Sequence, residues 1–283
     1  MTDMNGDSSV NSPPPRTGGL QPITAPIPGW YGKLPCLGDF ASRRLPREFI
    51  DRWDAWLQRS IAASRRDLGE QWLDIFLTSP MWRFALAPGV CGDEAWAGVL
   101  LPSVDRVGRY FPLTIAVPLE PFDADLTEVF AAHTWYSELE KIALSALSVD
   151  FSPAELEDAL SHHPFISERW APTHSSAVDD VAAWLDMGAA SPRAFELPRG
   201  KSIAAVMDTA ARGLFERIAA GKTFWWCISE KTGATETHCS PGLPPETYYT
   251  VLLGGARAAE TIPADPLKAF GFAQPADDAA SSR

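Results

Sequence analysis

A chain of 283 residues, 46% of them apolar and 21% charged, is long enough to bury a sizeable core in one large domain or two small ones. A formal net charge of -12 and a pI near 4.8 repel phosphate backbones, which argues against nucleic acid and anionic membrane and favours a basic or polar protein partner. No apolar run reaches the roughly 18 residues of a membrane span, the N-terminus lacks the basic start and apolar run of a signal peptide, and Cys36, Cys91, Cys227 and Cys239 form no CxxC spacing. A cytoplasmic protein with reduced thiols is expected.

Residues 1–27 are rich in Pro, Gly, Ser and Asn and read as a disordered tail. A strand begins at Gly29, a turn covers residues 35–39, and Pro46 suits the first turn of a helix. In that helix Phe49, Trp53, Trp56, Leu57 and Ile61 recur at three- and four-residue steps, with charged residues on the other face, so it packs on something flat and ends near Asp67. After Pro80 the period changes to alternation. Three strands are predicted, at 82–87, 95–101 and 111–117, joined by short glycine-containing links that favour an antiparallel meander. A long helix is expected over 125–148, short helices at 153–161 and 178–187, and a helix over 201–220 leading to a strand at 223–228. Residues 236–239 form a possible return strand, and 245–253 read as a last helix. The expected organisation is a tail (1–27), a core α/β domain (28–150), an extension of helices and strands packed on it (151–272) and a second tail (273–283). Eleven tryptophans and fourteen phenylalanines imply a core built on large flat side chains, or an aromatic docking surface.

The chemistry-bearing patterns are weak. Gly221-Lys222-Thr223 resembles the end of a phosphate-binding loop, but position 216 holds Glu216 instead of the first glycine, and a helix precedes where a strand is required. The plainer reading is a helix end capped by Gly221. Cys36 beside a glycine-rich turn is a candidate nucleophile for a cysteine-dependent hydrolase, yet none of His133, His162, His163, His174 and His238 marks itself as its base. His238 and Cys239 are too close together to hold zinc alone, and no second pair stands at ligand spacing. No catalytic, cofactor-binding or metal-binding residue is assigned.

Asp39, Arg106, Arg109 and Trp226 are candidates for protein interaction. Arg106 and Arg109 flank Gly108 and present guanidinium forks that suit a partner's carboxylate, or else pair with acids of this same chain. Asp39 and Asp105 read as turn acceptors more readily than as a carboxylate pair. Trp225 and Trp226 point to opposite sheet faces, so Trp226 anchors an interface if one face is open and joins the core if both are covered.

Taken together, GWYGKLPCLGDFASRRLP, the helix beginning PREFIDRWDAWLQ, then WRFALAPGVCG and GVLLPSVDRVGRYFPLTIAVPL resemble the TagF family, also called ImpM, of type VI secretion accessory proteins. The likeness is strong over residues 29–120 and looser over FWWCIS and PGLPPETYYTVLLG. It implies a longin- or profilin-like sandwich of helices on a largely antiparallel sheet. It also implies a cytoplasmic, non-enzymatic repressor that acts after translation and is linked to the forkhead-associated scaffold protein Fha. Some relatives carry a PppA-type phosphatase domain, for which this chain has no room. The family supplies no catalytic residues to place on this sequence.

Overall fold

The computed structural model describes residues 25–119, 126–165, 202–228 and 233–254. Seven strands form one sheet: β1 (Gly29–Gly32), β2 (Ala41–Arg43), β3 (Trp82–Leu86), β4 (Ala95–Leu101), β5 (Leu113–Leu119), β6 (Lys222–Ile228) and β7 (Thr235–Pro241). Their spatial order is β2-β1-β5-β4-β3-β6-β7, with every neighbouring pair antiparallel. The expected meander is β3-β4-β5. The flanking strands were less legible: β1 adds to β5 across Trp30↔Ile115, and β6 adds to β3 across Phe84↔Trp225. The segments 29–46 and 98–119 therefore meet in the sheet itself. β5 starts at Leu113 because Phe111 donates its N–H to the Ser103 carbonyl and belongs to the preceding turn.

Helices cover both faces, giving a three-layer sandwich, so the strands bury both of their alternating sets of side chains. On one face lies α1 (Arg47–Leu68), which starts after Pro46, carries Glu48 in its first turn and Arg65 and Arg66 in its last, and stops at Gly69 with φ 54°. These charges complement the helix dipole, and the left-handed terminus suits glycine. Its buried stripe of Phe49, Trp53, Trp56, Leu57 and Ile61 packs on Phe84, Trp96 and Trp225, with the Trp53 ring 4.9 Å from Phe84 and 5.9 Å from Trp225. Several indoles on this face also reach acceptors: Trp53 donates to Thr114 Oγ1, Trp56 to the Pro244 carbonyl, and Trp82 to the Leu252 carbonyl. The short helices α2 (Trp72–Leu77) and α7 (Tyr249–Leu252) complete the layer, α7 following a 3-10 turn over Glu246–Tyr248 where one longer helix was expected.

The opposite face carries α3 (Leu126–Ala131), α4 (His133–Ser145), α5 (Pro153–Ser161) and α6 (Ile203–Ala219). The single helix expected over 125–148 is two, because Ala132 leaves helical geometry at ψ 47°. Tyr136, Leu139, Ile142 and Ala143 of α4 pack with Val99, Ile115 and Val117 of the sheet. Arg83 of β3 is buried here and held bidentately by Glu140 at 2.7 Å through each oxygen. Residues 1–24 of the expected first tail, the second tail and the helix expected at 178–187 lie outside the described residues.

Candidate functional site

The neighbouring segments around β1 and β5 are locked together beyond the sheet edge by a buried charge cluster. Lys33 follows the end of β1 and is only 3% exposed, with Nζ 2.6 Å from Asp105 Oδ2. Asp105 is equally buried. Its Oδ2 also accepts from Arg109 Nε at 2.7 Å, while Oδ1 accepts the backbone N–H groups of Val107 at 3.0 Å and Arg109 at 2.9 Å. Burial by itself raises this carboxyl's pKa. The hydrogen bonds from Lys33, Arg109 and Val107 outweigh it and hold Asp105 well below the usual carboxylate range.

Around that carboxylate the chain makes a tight turn. Val104 bridges Tyr110, the Asp105 N–H reaches the Arg109 carbonyl at 3.0 Å, and Gly108 takes φ 82°, a left-handed conformation that side chains disfavour. Ser103 Oγ donates to the Lys33 carbonyl at 2.7 Å, the Arg106 N–H donates to the Leu37 carbonyl at 2.8 Å, and an Arg109 guanidinium N–H reaches the Gly38 carbonyl. Residues 33–40 and 103–111 thus form one frame. Phe40 closes it, its ring 4.8 Å from Phe111, 6.0 Å from Tyr31 and 4.2 Å from Lys33 Nζ, a cation–π contact.

The predicted interaction residues land in different places. Asp39 is exposed, accepts the Phe40 N–H at 2.8 Å, and lies 3.8 Å from Arg109, so it works as a turn acceptor with a loose ion pair. Arg109 is half exposed and spends its charge on Asp105 of its own chain. Arg106 is exposed, and its side chain makes no ion pair among the described residues. Trp226 requires a correction: with both sheet faces covered, its indole is buried against Phe130 and Tyr136 and belongs to the core. Asp105 is paired with Lys33 and Arg109, and Asp39 is met by Arg109 from the exposed side, so each carboxylate is engaged by a cation. Lys33 was not singled out from the sequence. The local sequence offered no signal for it, because Lys33 follows the end of β1 and its partner Asp105 is 72 residues away.

The enzyme-like patterns take on structural surroundings. Cys36 packs at the edge of the core on the α4 side, where burial pushes its thiol up against the opposing pull of a backbone hydrogen bond. Among the described histidines none hydrogen-bonds it: His162 engages the Asp158 carbonyl, and His238 engages Tyr248 and Glu236. His174 lies outside the described residues. Burial likewise pushes the Cys91 thiol up to about 12. Gly221 ends α6 at φ 71°, its N–H donating to the Pro88 carbonyl, and Lys222 opens β6 with its amine on the Ile218 carbonyl of the same helix, so the P-loop-like tripeptide is a helix terminus leading into a strand. Among the described residues no group of three or more His, Cys, Asp or Glu side chains is arranged to hold a metal ion, and no helix is long and apolar enough to cross a membrane.

Residues 29–163 match the family model described as the TagF N-terminal domain, type VI secretion system-associated. Among solved structures, PA0076 from Pseudomonas aeruginosa PAO1 is 33% identical, with a TM-score of 0.63 over a match covering 83% of this chain and 98% of that one. No match is found among the curated proteins. The family model spans the whole Lys33–Asp105 frame, and a solved relative is covered almost end to end; the chain belongs to the TagF family of type VI secretion system-associated proteins.

Proposed function

We propose that this protein is a non-enzymatic, cytoplasmic repressor of type VI secretion that acts after translation by binding a component of the apparatus, the forkhead-associated scaffold Fha being the partner. The family supports a role in type VI secretion. The observation that carries a binding mechanism is the turn at 105–109: a buried ion pair holds it rigid, and Arg106 is presented outward with its guanidinium not committed to a described acid. Arginine is enriched at protein interfaces, and a backbone already fixed by hydrogen bonds reduces the conformational freedom lost on binding. The raised thiol of Cys36 speaks against a hydrolase, since the thiolate is the nucleophile.

Affinity capture from cells expressing the secretion genes is expected to enrich a secretion component, Fha foremost, over a control, and deletion is expected to raise secretion. Absence of any such enrichment together with unchanged secretion would refute the reading. Cys36→Ala is expected to leave repression intact; its loss in a folded variant would revive the hydrolase.

A further inference from the structure

The frame that fixes the turn at 105–109 also leaves two large apolar side chains facing solvent. Phe40 is 44% exposed despite its contacts with Tyr31, Phe111 and Lys33, and Val107, at the tip of the turn, is 64% exposed. Isolated exposed apolar residues are ordinary on protein surfaces. Here both sit on segments bonded directly to one another, through the Arg106 N–H on the Leu37 carbonyl and the Arg109 guanidinium on the Gly38 carbonyl. The Arg106 guanidinium stands beside Gly38, where an added Cβ would lie 3.6 Å from Nη2. An aromatic ring and an arginine with no ion pair among the described residues are residue types enriched at protein interfaces, and Val107 adds exposed apolar area beside the arginine.

We infer that residues 37–40 and 106–109 dock an acidic segment of a protein partner, which sets an apolar side chain against Phe40 and Val107 and a carboxylate on Arg106. The sign of the occupant follows from charge. The chain carries -12 overall, so an acidic partner is repelled by most of the molecule and gains a local attraction where an arginine is exposed and its acidic neighbour, Asp105, is buried and already neutralised by Lys33 and Arg109. Of the other exposed charges at the site, Arg109 is paired with Asp105 and the Asp39 carboxylate lies 3.8 Å from Arg109, so Arg106 is the charge left without an ion pair among the described residues, and a basic segment would be repelled by it. The Lys33–Asp105 pair gives the surface its rigidity: with its anchors inside the molecule, the turn keeps one conformation before the partner arrives.

The inference rests on the reading that this protein acts by binding, and its test separates the two. A photo-cross-linking amino acid is placed at Val107 in the full chain, in cells expressing the secretion apparatus, and the cross-linked peptide is identified by mass spectrometry. The expected product is one peptide that carries Asp or Glu beside an apolar residue and is lost when Arg106→Glu is added. Phe40→Ser is expected to reduce cross-linking about tenfold or more. Thermal unfolding of each variant confirms that the fold persists. No cross-link at Val107, a cross-linked peptide that is neutral or basic, or a cross-link unaffected by Arg106→Glu overturns the inference. A secretion component captured by the same chain while Val107 stays silent would leave the repressor reading standing and move the surface elsewhere. An acidic cross-linked peptide from a component other than Fha would uphold the surface and change the partner.

Discussion

Asp105 illustrates how one residue ties chemistry to stability. Its folded pKa is depressed, so the unfolded chain takes up a proton more readily than the native one. The stabilisation is complete above the ordinary carboxylate range, and it is lost progressively as pH falls below about 4. Asp105→Asn is expected to lower Tm at pH 7, because Lys33 is left buried without a counter-charge, and to flatten the acid limb of a plot of Tm against pH. The two neighbouring arginines separate by the same logic. Arg106→Glu, at an exposed side chain, is expected to change Tm by no more than about 2 °C while abolishing partner capture. Arg109→Glu would set a carboxylate against Asp105 and cost both stability and binding, as thermal melts run beside the capture assay would show. At this scale the sequence showed which residue types crowd together, but not which of two arginines is committed. That depends on a few ångströms of turn geometry. Trp226 was undecided for a related reason, since alternation assigns a strand face and says nothing of what covers it.

Among the elements, α1 was the most legible, because five large apolar residues at helical spacing admit one orientation against a sheet. Trp53 sits at its centre, stacked on Trp225 and hydrogen-bonded to Thr114 at 2.8 Å. Trp53→Ala is expected to cost about 3–5 kcal/mol, measured by denaturant unfolding. At Gly98 in β4, an added methyl would meet the Ile115 carbonyl oxygen and approach the Phe84 ring to 2.8 Å. Gly98→Ala is therefore expected to destabilise by about 1–3 kcal/mol, in contrast with exposed helical positions where the same change is favourable. α5 was expected at 153–161, and the structure fixes its start with Pro153 and a Ser152–Glu155 capping box, in which the two side chains satisfy each other's backbone donors. Less legible were the break at Ala132, which no glycine or proline announces, and β7, whose Thr-, Glu- and His-bearing sequence is exposed along most of its length and lacks a clean apolar alternation.

For the whole molecule, the matched family region ends at residue 163, yet the sheet does not. β6 pairs with β3 from Arg83 to Leu86, and Trp225, Tyr249 and Leu252 fill the layer beneath α1. A fragment limited to residues 29–163 would expose the β3 edge and the Trp53 and Trp56 rings. It is expected to lack a cooperative thermal transition, which calorimetry on the fragment beside the full chain would reveal. The sequence by itself determined the α1 stripe, the meander and the family, because apolar periodicity, turn residues and long ordered motifs are local properties of the chain. Only the tertiary structure decided that β6 and β7 complete the same sheet, that Trp226 is core, and that Lys33 neutralises Asp105. Each of these rests on contacts between residues from 72 to more than 100 positions apart, made by strand pairing, face burial or an ion pair that no local pattern encodes.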